Sequence, residues 1–293
     1  MWQRRTDLAE ESHELWKNSH ENKNLAGISQ RKFSLAGYPC CEVEVSSERA
    51  AKELGKERGK YVTVDLSSYW QRREGNFSCG VKAVGAALKD LLGEMDGPVL
   101  IAGLGNRAMT PDAVGPLTVE NVLVTRHLEK RFSLRSVAAM VPDVLGNTGM
   151  EAAELITAAV EKVAPSAVVV IDALSARKLS RLCASVQLSS TGISPGSGVG
   201  NRRMEISEKT VGVPVFSMGI PTVVDAATLT MDVLEEAGMG HLDAAALRGF
   251  EESVFVTPRS IDAQVKELAR LLGYGINFAL QNLNVEEITA LLQ

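Results

Sequence analysis

Four apolar runs constrain the fold of this chain more than any other feature. They are PVLIAGLG at 98–105, SVAAMVP at 136–142, AVVVIDAL at 167–174 and VPVFSMGIP at 213–221. Such runs are typical of strands buried on both faces of a sheet. Helical patterns at 111–129, 148–164 and 222–238 lie between or after them, which implies parallel strands joined by right-handed crossovers. The chain is therefore predicted to be α/β, with a mostly parallel central sheet flanked by helices.

Shorter patterns extend this sheet. CCEVEV at 40–45 and KYVTVDL at 60–66 alternate apolar with polar residues and bracket a predicted helix that Ser46 or Ser47 would cap. Two more strands are predicted at 183–189 and 253–258. A helix near the C-terminus is predicted from the spacing of Ile261, Val265, Leu268, Leu272 and Ile276. Neither a repeat nor a linker interrupts the pattern, which favours a single domain.

The first 35 residues follow a different pattern. They are polar, with little alternation of apolar and polar positions. We interpret them as a loosely attached, flexible arm with one short helix at most, and expect the ordered fold to begin after about residue 35.

Composition limits the classes of function. The net charge of -5 gives no electrostatic reason to bind nucleic acid or an anionic membrane surface. The charged start and the lack of a long apolar run favour a cytoplasmic protein. The four cysteines and four histidines are scattered, so we predict neither a zinc site nor a cofactor, although carboxylates could still hold a metal.

The segment GLGNRA at 103–108 follows a strand and formally fits a dinucleotide-binding fingerprint. That interpretation is disfavoured because Thr110 and Pro111 place the next helix too late, and no acidic residue follows at the expected distance. A tight turn from strand to helix, with Thr110 as cap, is the better interpretation.

Two aspartates near the predicted carboxyl ends of strands are candidate catalytic residues. Asp112 would lie in the first turn of a helix, just beyond the carboxyl end of a buried strand, and Asp172 follows the apolar run AVVVI. If the two strands are neighbours, both side chains face one crevice, where two carboxylates sharing a water form an acid/base pair. Structural roles remain open, because Asp112 could simply stabilise the helix dipole and Asp172 could bind a neighbouring loop.

Other residues are weaker candidates. Asp143 could line the same crevice or occupy a turn. The Gly- and Ser-rich segment at 191–203, which includes Gly196, Gly198 and Arg202, predicts a long loop that either connects elements flexibly or contacts a substrate. No serine or cysteine lies in a recognisable nucleophile motif.

Nine segments together resemble the germination protease family of spore-forming bacteria. They are RTDLA at 5–9, GKYVTVDL at 59–66, GLGN at 103–106, TPDAVGP at 110–116, VTRHL at 124–128, IDALSAR at 171–177, TGISPGSGVGN at 191–201, GIPTVVDA at 219–226 and VTPRSID at 256–262. They are spread along most of the chain, from residue 5 to residue 262, and follow the order of the family. The region from 240 to 255 is shorter than the family pattern, and Asp143 stands where that pattern has no acid.

The resemblance implies a hydrolase-like α/β fold of the phosphorylase type, similar to that of hydrogenase maturation proteases. It implies an atypical aspartic endopeptidase in which Asp112 and Asp172 are catalytic. The implied substrates are small acid-soluble spore proteins, the implied location is the forespore and spore core, and the implied assembly is a homotetramer.

The resemblance also implies a zymogen that removes its own propeptide. Residues 6–11, TDLAEE, match the cut site expected of the family's substrates. Cleavage is therefore expected between Asp7 and Leu8, so that residues 1–7 form the propeptide and residues 8–293 a single peptidase domain. Two alternatives are a metal-dependent maturation endopeptidase of the hydrogenase-processing type and an inactive binding protein for spore proteins.

Overall fold

The computed structural model describes residues 4–20, 23–71, 74–128, 133–196, 203–238 and 254–293. Its strands are β1 (Ile28–Leu35), β2 (Tyr38–Val45), β3 (Gly59–Asp65), β4 (Val99–Gly103), β5 (Val137–Met140), β6 (Ala167–Ala176), β7 (Ser185–Ser189), β8 (Val215–Asp225) and β9 (Phe255–Val256). Its helices are α1 (Ala9–Ser19), α2 (Glu48–Leu54), α3 (Asn76–Leu92), α4 (Val114–Val119), α5 (Leu145–Thr148), α6 (Ala152–Val163), α7 (Glu208–Val211), α8 (Ala226–Glu236), α9 (Ile261–Gln281) and α10 (Val285–Leu292).

The described strands form one mixed sheet in the order β1-β2-β3-β7-β8-β6-β4-β5, with β9 paired to β8. The four apolar runs form β4, β5, β6 and β8, and these strands pair in parallel. The predicted α/β class, with a central sheet flanked by helices, is confirmed.

The other half of the sheet is antiparallel, so the sheet as a whole is mixed rather than mostly parallel. One cause is local. Ala36 and Gly37 both have positive φ and connect β1 to β2 in a two-residue hairpin, a connection that forces antiparallel pairing.

Alternate residues of the parallel strands enter two cores. Ile101 and Val169 pack with α3 and α9 on one face of the sheet. Their neighbours Leu100 and Val168 pack with α6 on the other face. Burial on both faces explains why these strands are continuous apolar runs in the sequence.

The predicted boundary of the N-terminal arm is wrong. Residues 28–35 form the edge strand β1, and α1 packs against α2 and β2, where Ala9 contributes to a small core with Val43 and Leu54. β1 is an edge strand whose residues are all half-buried or exposed, so its sequence is largely polar.

Helix boundaries near the central strands also differ from the prediction. The helix expected at 111–129 is only α4, and the one expected at 222–238 starts later because β8 continues to Asp225. Glu151 and Asp225 are the N-caps of α6 and α8.

Candidate active site

The carboxyl ends of β4 and β6 lie side by side, as the sequence predicts. The two strands are parallel, with Gly103 opposite Ile171. A cleft of about 830 Å³ opens at this edge, and both Asp112 and Asp172 line it. The sheet therefore brings together two carboxylates that are far apart in the sequence.

A tight turn after β4 positions Asp112. Gly105 has a φ of +107°, which an L-residue with a side chain rarely adopts. The backbone N–H of Asn106 then donates to Oδ2 of Asp112 at 2.7 Å. Asp112 closes a short 3₁₀ turn formed by Thr110–Asp112, and α4 starts only at Val114.

This geometry corrects the predicted cap. Thr110 does not cap a helix, because its hydroxyl donates to Asp262 at the start of α9, at 2.7 Å. Since Asp112 precedes α4 instead of lying in its first turn, the helix dipole is not what orients its carboxylate. The Asn106 N–H performs that role.

Asp172 lies within β6 and is 6% exposed. Its Oδ1 accepts the N–H of Ala173 at 2.8 Å. Burial raises the pKa of Asp172 well above its usual value, and the negative charge of Asp112 raises it further. The Ala173 N–H opposes these two effects, and the charge of Asp7 makes a smaller contribution that raises the pKa. Asp172 therefore holds a proton more tightly than an ordinary aspartate does.

Asp112 is more accessible than Asp172. Burial raises its pKa as well, but the hydrogen bond from Asn106 favours the charged form and opposes that shift. Between these two coupled carboxyl groups, the proton resides preferentially on Asp172 and the charge on Asp112.

The N-terminal segment lies in the same cleft, and Asp7 is one of its lining residues. β4 ends opposite Ile171, whereas β6 continues to Ala176, and Asp7 binds to this extension. The N–H of Asp7 donates to the carbonyl of Ser175 at 2.8 Å. In return the N–H of Ser175 donates to the Asp7 carboxylate at 2.9 Å.

The peptide group after Asp7 is also held. Its carbonyl oxygen accepts hydrogen bonds from Lys56 Nζ at 2.8 Å and from Gln187 Nε2 at 2.9 Å. Leu8 is fully buried in an apolar pocket. The buried residues of that pocket are Leu174, Ala176, Leu182 and Val224.

Glu11 anchors the segment from the other side. Its carboxylate accepts the backbone N–H groups of Arg177 and Lys178 at 2.7 and 3.1 Å, and also the hydroxyl of Thr6 at 2.5 Å. Charge-assisted bonds of this kind are among the stronger hydrogen bonds in proteins. Residues 4–19 are therefore docked on the molecule, in contrast to the loosely attached arm that the sequence predicts.

Two of the four weaker candidate residues line the cleft, and the other two lie outside the described residues. Asp143 lines the cleft, but it has a φ of +63° and its carboxylate accepts bonds from Val144 N–H and the Asn147 amide, so it shapes a turn. Gly196 also lines the cleft. Gly198 and Arg202 lie outside the described residues.

Sequence reasoning missed Lys56 and Gln187. Lys56 follows α2 in an ordinary charged stretch, and only the structure shows that it contacts the Asp7 carbonyl. Gln187 offered a faint signal, since it is a long amide inside the otherwise small and apolar run CASVQLS.

Comparison with known proteins identifies the family of this chain. The profile of a family described as germination protease matches residues 5–243. The chain belongs to the germination protease family. Membership makes it a peptidase, as the sequence predicts, and the match spans Asp7, Asp112 and Asp172 alike.

Relatives named germination protease match over long stretches. One from Clostridium perfringens is 37% identical over 324 aligned residues and covers 100% of both chains. One from Caldanaerobacter subterraneus is 38% identical over 320 residues, with 98% of both chains covered. One from Geobacillus is 41% identical over 256 residues, covering 80% of this chain and 67% of the relative.

Among solved structures, a NiFe hydrogenase maturation protease from Thermococcus kodakarensis aligns with 65% of this chain and 99% of its own, at 14% identity and a TM-score of 0.36. Within the described ranges, no helix is long and apolar enough to cross a membrane. The same ranges contain no group of three or more His, Cys, Asp or Glu residues arranged to hold a metal ion.

Proposed function

We propose that this germination protease family member is an atypical aspartic endopeptidase that degrades small acid-soluble spore proteins and needs no cofactor. One observation carries the proposal. Asp112 and Asp172 line the cleft in which the Asp7–Leu8 peptide group is docked, so a sequence of the type expected of a substrate lies beside two carboxyl groups.

The different environments of the two carboxyl groups support different roles for them. Asp112 carries the charge and acts as general base, taking a proton from a water molecule. Burial raises the pKa of Asp172. Asp172 therefore keeps its proton and acts as general acid. Two titratable groups whose environments separate their proton affinities are a common basis for acid/base catalysis.

The docked segment supports self-processing between Asp7 and Leu8. Each feature of the expected cut site has a partner in the cleft. Asp7, the acid before the cut, accepts the Ser175 N–H. Leu8, the apolar residue after the cut, fills its apolar pocket. Glu11, three residues after Leu8, accepts the backbone N–H groups of Arg177 and Lys178. Residues 1–7 would then be a propeptide whose last residue, Asp7, occupies the cleft until the chain is cut.

Two further parts of the proposal rest on family membership alone. We propose that the enzyme acts in the forespore and spore core as a homotetramer.

The overall charge of -5 fits a partner that is neither nucleic acid nor membrane. Gly198 and Arg202 of the 191–203 loop, together with Gly196 and Asp143, are proposed to contact the substrate.

Incubation of the purified protein with a small acid-soluble spore protein tests the proposal. We expect new termini after an acidic residue that is followed by an apolar residue and alanine, identified by mass spectrometry. The Asp172→Asn variant should produce none. Cleavage that persists in that variant but disappears in chelator would favour a metal-dependent endopeptidase, and binding without any cleavage by the wild type would favour the inactive binding protein.

A further inference from the structure

Two side chains donate hydrogen bonds to one backbone oxygen in the cleft. The oxygen is the carbonyl of Asp7, and the donors are Lys56 Nζ at 2.8 Å and Gln187 Nε2 at 2.9 Å. These are ordinary, strong hydrogen-bond lengths. Lys56 also donates to the carbonyl of Thr6, at 3.2 Å, so its ammonium lies along the backbone of the docked segment.

Gln187 and Asp172 belong to one row of the sheet. Gln187 on β7 is paired with Gly219 on β8, and Gly219 is paired with Asp172 on β6. Side chains of directly paired residues project to the same face of a sheet. Because the residue between them is glycine, a trough about two strand spacings wide, roughly 10 Å, separates Gln187 from Asp172, and all three residues line the cleft.

The amide of Gln187 is oriented by two contacts. Its Nε2 donates to the carbonyl of Asp7, and its Oε1 accepts the N–H of Ala9 at 2.7 Å. Ala9 is the first residue of α1, so this N–H has no carbonyl partner within the helix. The side chain thus spans the Leu8 residue and fixes the backbone on both sides of it.

We propose that Lys56 and Gln187 are catalytic residues that form the oxyanion site for cleavage of the Asp7–Leu8 bond and of the corresponding bond in substrates. This inference rests on the proposed function. Donors aimed at an oxygen on which negative charge develops lower the barrier of acyl transfer, and a fixed ammonium in a partly desolvated cleft is a strong donor of this kind.

The reaction is a balanced hydrolysis. The water oxygen bonds to the carbonyl carbon of Asp7 while Asp112 takes the water proton, and the electron pair of the C=O bond moves onto the oxygen held by Lys56 and Gln187. When the tetrahedral intermediate collapses, the C=O bond re-forms and the bond to the Leu8 nitrogen breaks. Asp172 gives its proton to that nitrogen, so the products are a free carboxyl group and a free amine.

Because Lys56 and Gln187 donate to the oxyanion, Asp172 is free to protonate the leaving amine.

Burial lowers the pKa of Lys56, and the nearby charges of Asp7 and Glu11 counter that effect. The two acidic side chains of the docked segment therefore help to keep the lysine charged when a substrate is present.

Three variants of the full-length chain test the inference. Gln187→Glu keeps an acceptor for the Ala9 N–H but loses the donor to the Asp7 carbonyl, Gln187→Ala loses both contacts, and Lys56→Met removes the ammonium at similar length. The matched control is Lys52→Met, a lysine of α2 that lines the rim of the same cleft. The loss of residues 1–7 is followed by intact mass, and docking by hydrogen exchange at the Ala9 amide.

We expect Gln187→Glu and Lys56→Met each to slow cleavage about 100-fold, the usual effect of removing one oxyanion donor, while the Ala9 amide stays protected. Only Gln187→Ala should lose that protection, and Lys52→Met should cleave normally. Wild-type rates in Gln187→Glu or Lys56→Met would overturn the inference, as would a loss of Ala9 protection in either. A wild type that cuts neither between Asp7 and Leu8 nor within a small acid-soluble spore protein would instead overturn the proposed function, and the inference with it.

Discussion

A side chain at position 105 would collide with Asp112, because a Cβ built on Gly105 lies 2.0 Å from the carbonyl oxygen of Asp112. The same turn delivers the Asn106 N–H to the Asp112 carboxylate. Gly105 therefore determines where one of the two carboxyl groups lies, although it contributes no chemistry.

We predict that Gly105→Ala destabilises the fold by about 1–3 kcal/mol, since it combines this collision with a left-handed backbone, and that it removes most of the peptidase activity. Thermal unfolding and peptide cleavage measure the two effects. Gly146→Ala is the matched control, because a Cβ there meets nothing within 4 Å. Normal activity in Gly105→Ala would show that the turn does not position Asp112.

The pH dependence of cleavage follows from the two carboxyl groups. Asp172 must hold a proton and its pKa is raised, so the rate should fall as the pH rises through that raised pKa. Asp112 must be charged, so the rate should also fall at low pH as Asp112 takes up a proton. The pKa of Asp112 is raised as well, so this acidic limb of the pH–rate profile should lie above the usual pKa range of aspartate. A rate that keeps increasing from neutral to alkaline pH would contradict these roles.

Asp172 should also limit stability. The pKa of Asp172 is higher in the folded chain than in the unfolded one. The protonated carboxyl group therefore favours the folded state at low pH, and this contribution to the free energy of unfolding is lost as the pH rises through the folded-state pKa. Above that pH, Asp172→Asn should raise the free energy of unfolding by at least about 1 kcal/mol, because the amide is neutral at every pH. Asp90→Asn, on the exposed side of α3, should change nothing. Chemical denaturation over a range of pH measures the difference, and no gain at any pH would show that Asp172 is not destabilised by burial.

The pocket that holds Leu8 should act in substrate selection. Leu8→Ala leaves a gap among Leu174, Leu182 and Val224, and loss of such apolar contacts commonly slows a reaction about 10- to 200-fold. Self-cleavage followed by mass spectrometry measures the effect, with the exposed Asn18→Ala of α1 as control. Equal rates for Leu8→Ala and the wild type would mean that the pocket does not read the residue after the cut.

Sequence patterns predicted the centre of this fold but not its periphery. The runs that became β4 and β6 are buried on both faces and leave a strong signal. Asp112 follows the first run and Asp172 follows the apolar residues AVVVI of the second, so both could be expected in one crevice. The pairing of β1 with β2 left little signal, because every residue of this edge strand is half-buried or exposed and most are polar.

The oxyanion donors were beyond sequence reasoning for a geometrical reason. Lys56 and Gln187 lie 131 positions apart in the sequence and meet only because β3 and β7 pair and the N-terminal segment docks across them. Neither pairing is local, and neither follows from hydrophobic periodicity.

Self-processing of the purified chain tests the central claim most directly. Intact-mass analysis should show that the wild type loses residues 1–7, whereas Asp112→Asn, Asp172→Asn and Asp7→Ala stay full length under the same conditions with unchanged circular dichroism. We expect a new N-terminus at Leu8 in the wild type alone. The appearance of that terminus in pure Asp112→Asn or Asp172→Asn protein would contradict the claim, because the cut would then not depend on the carboxyl pair.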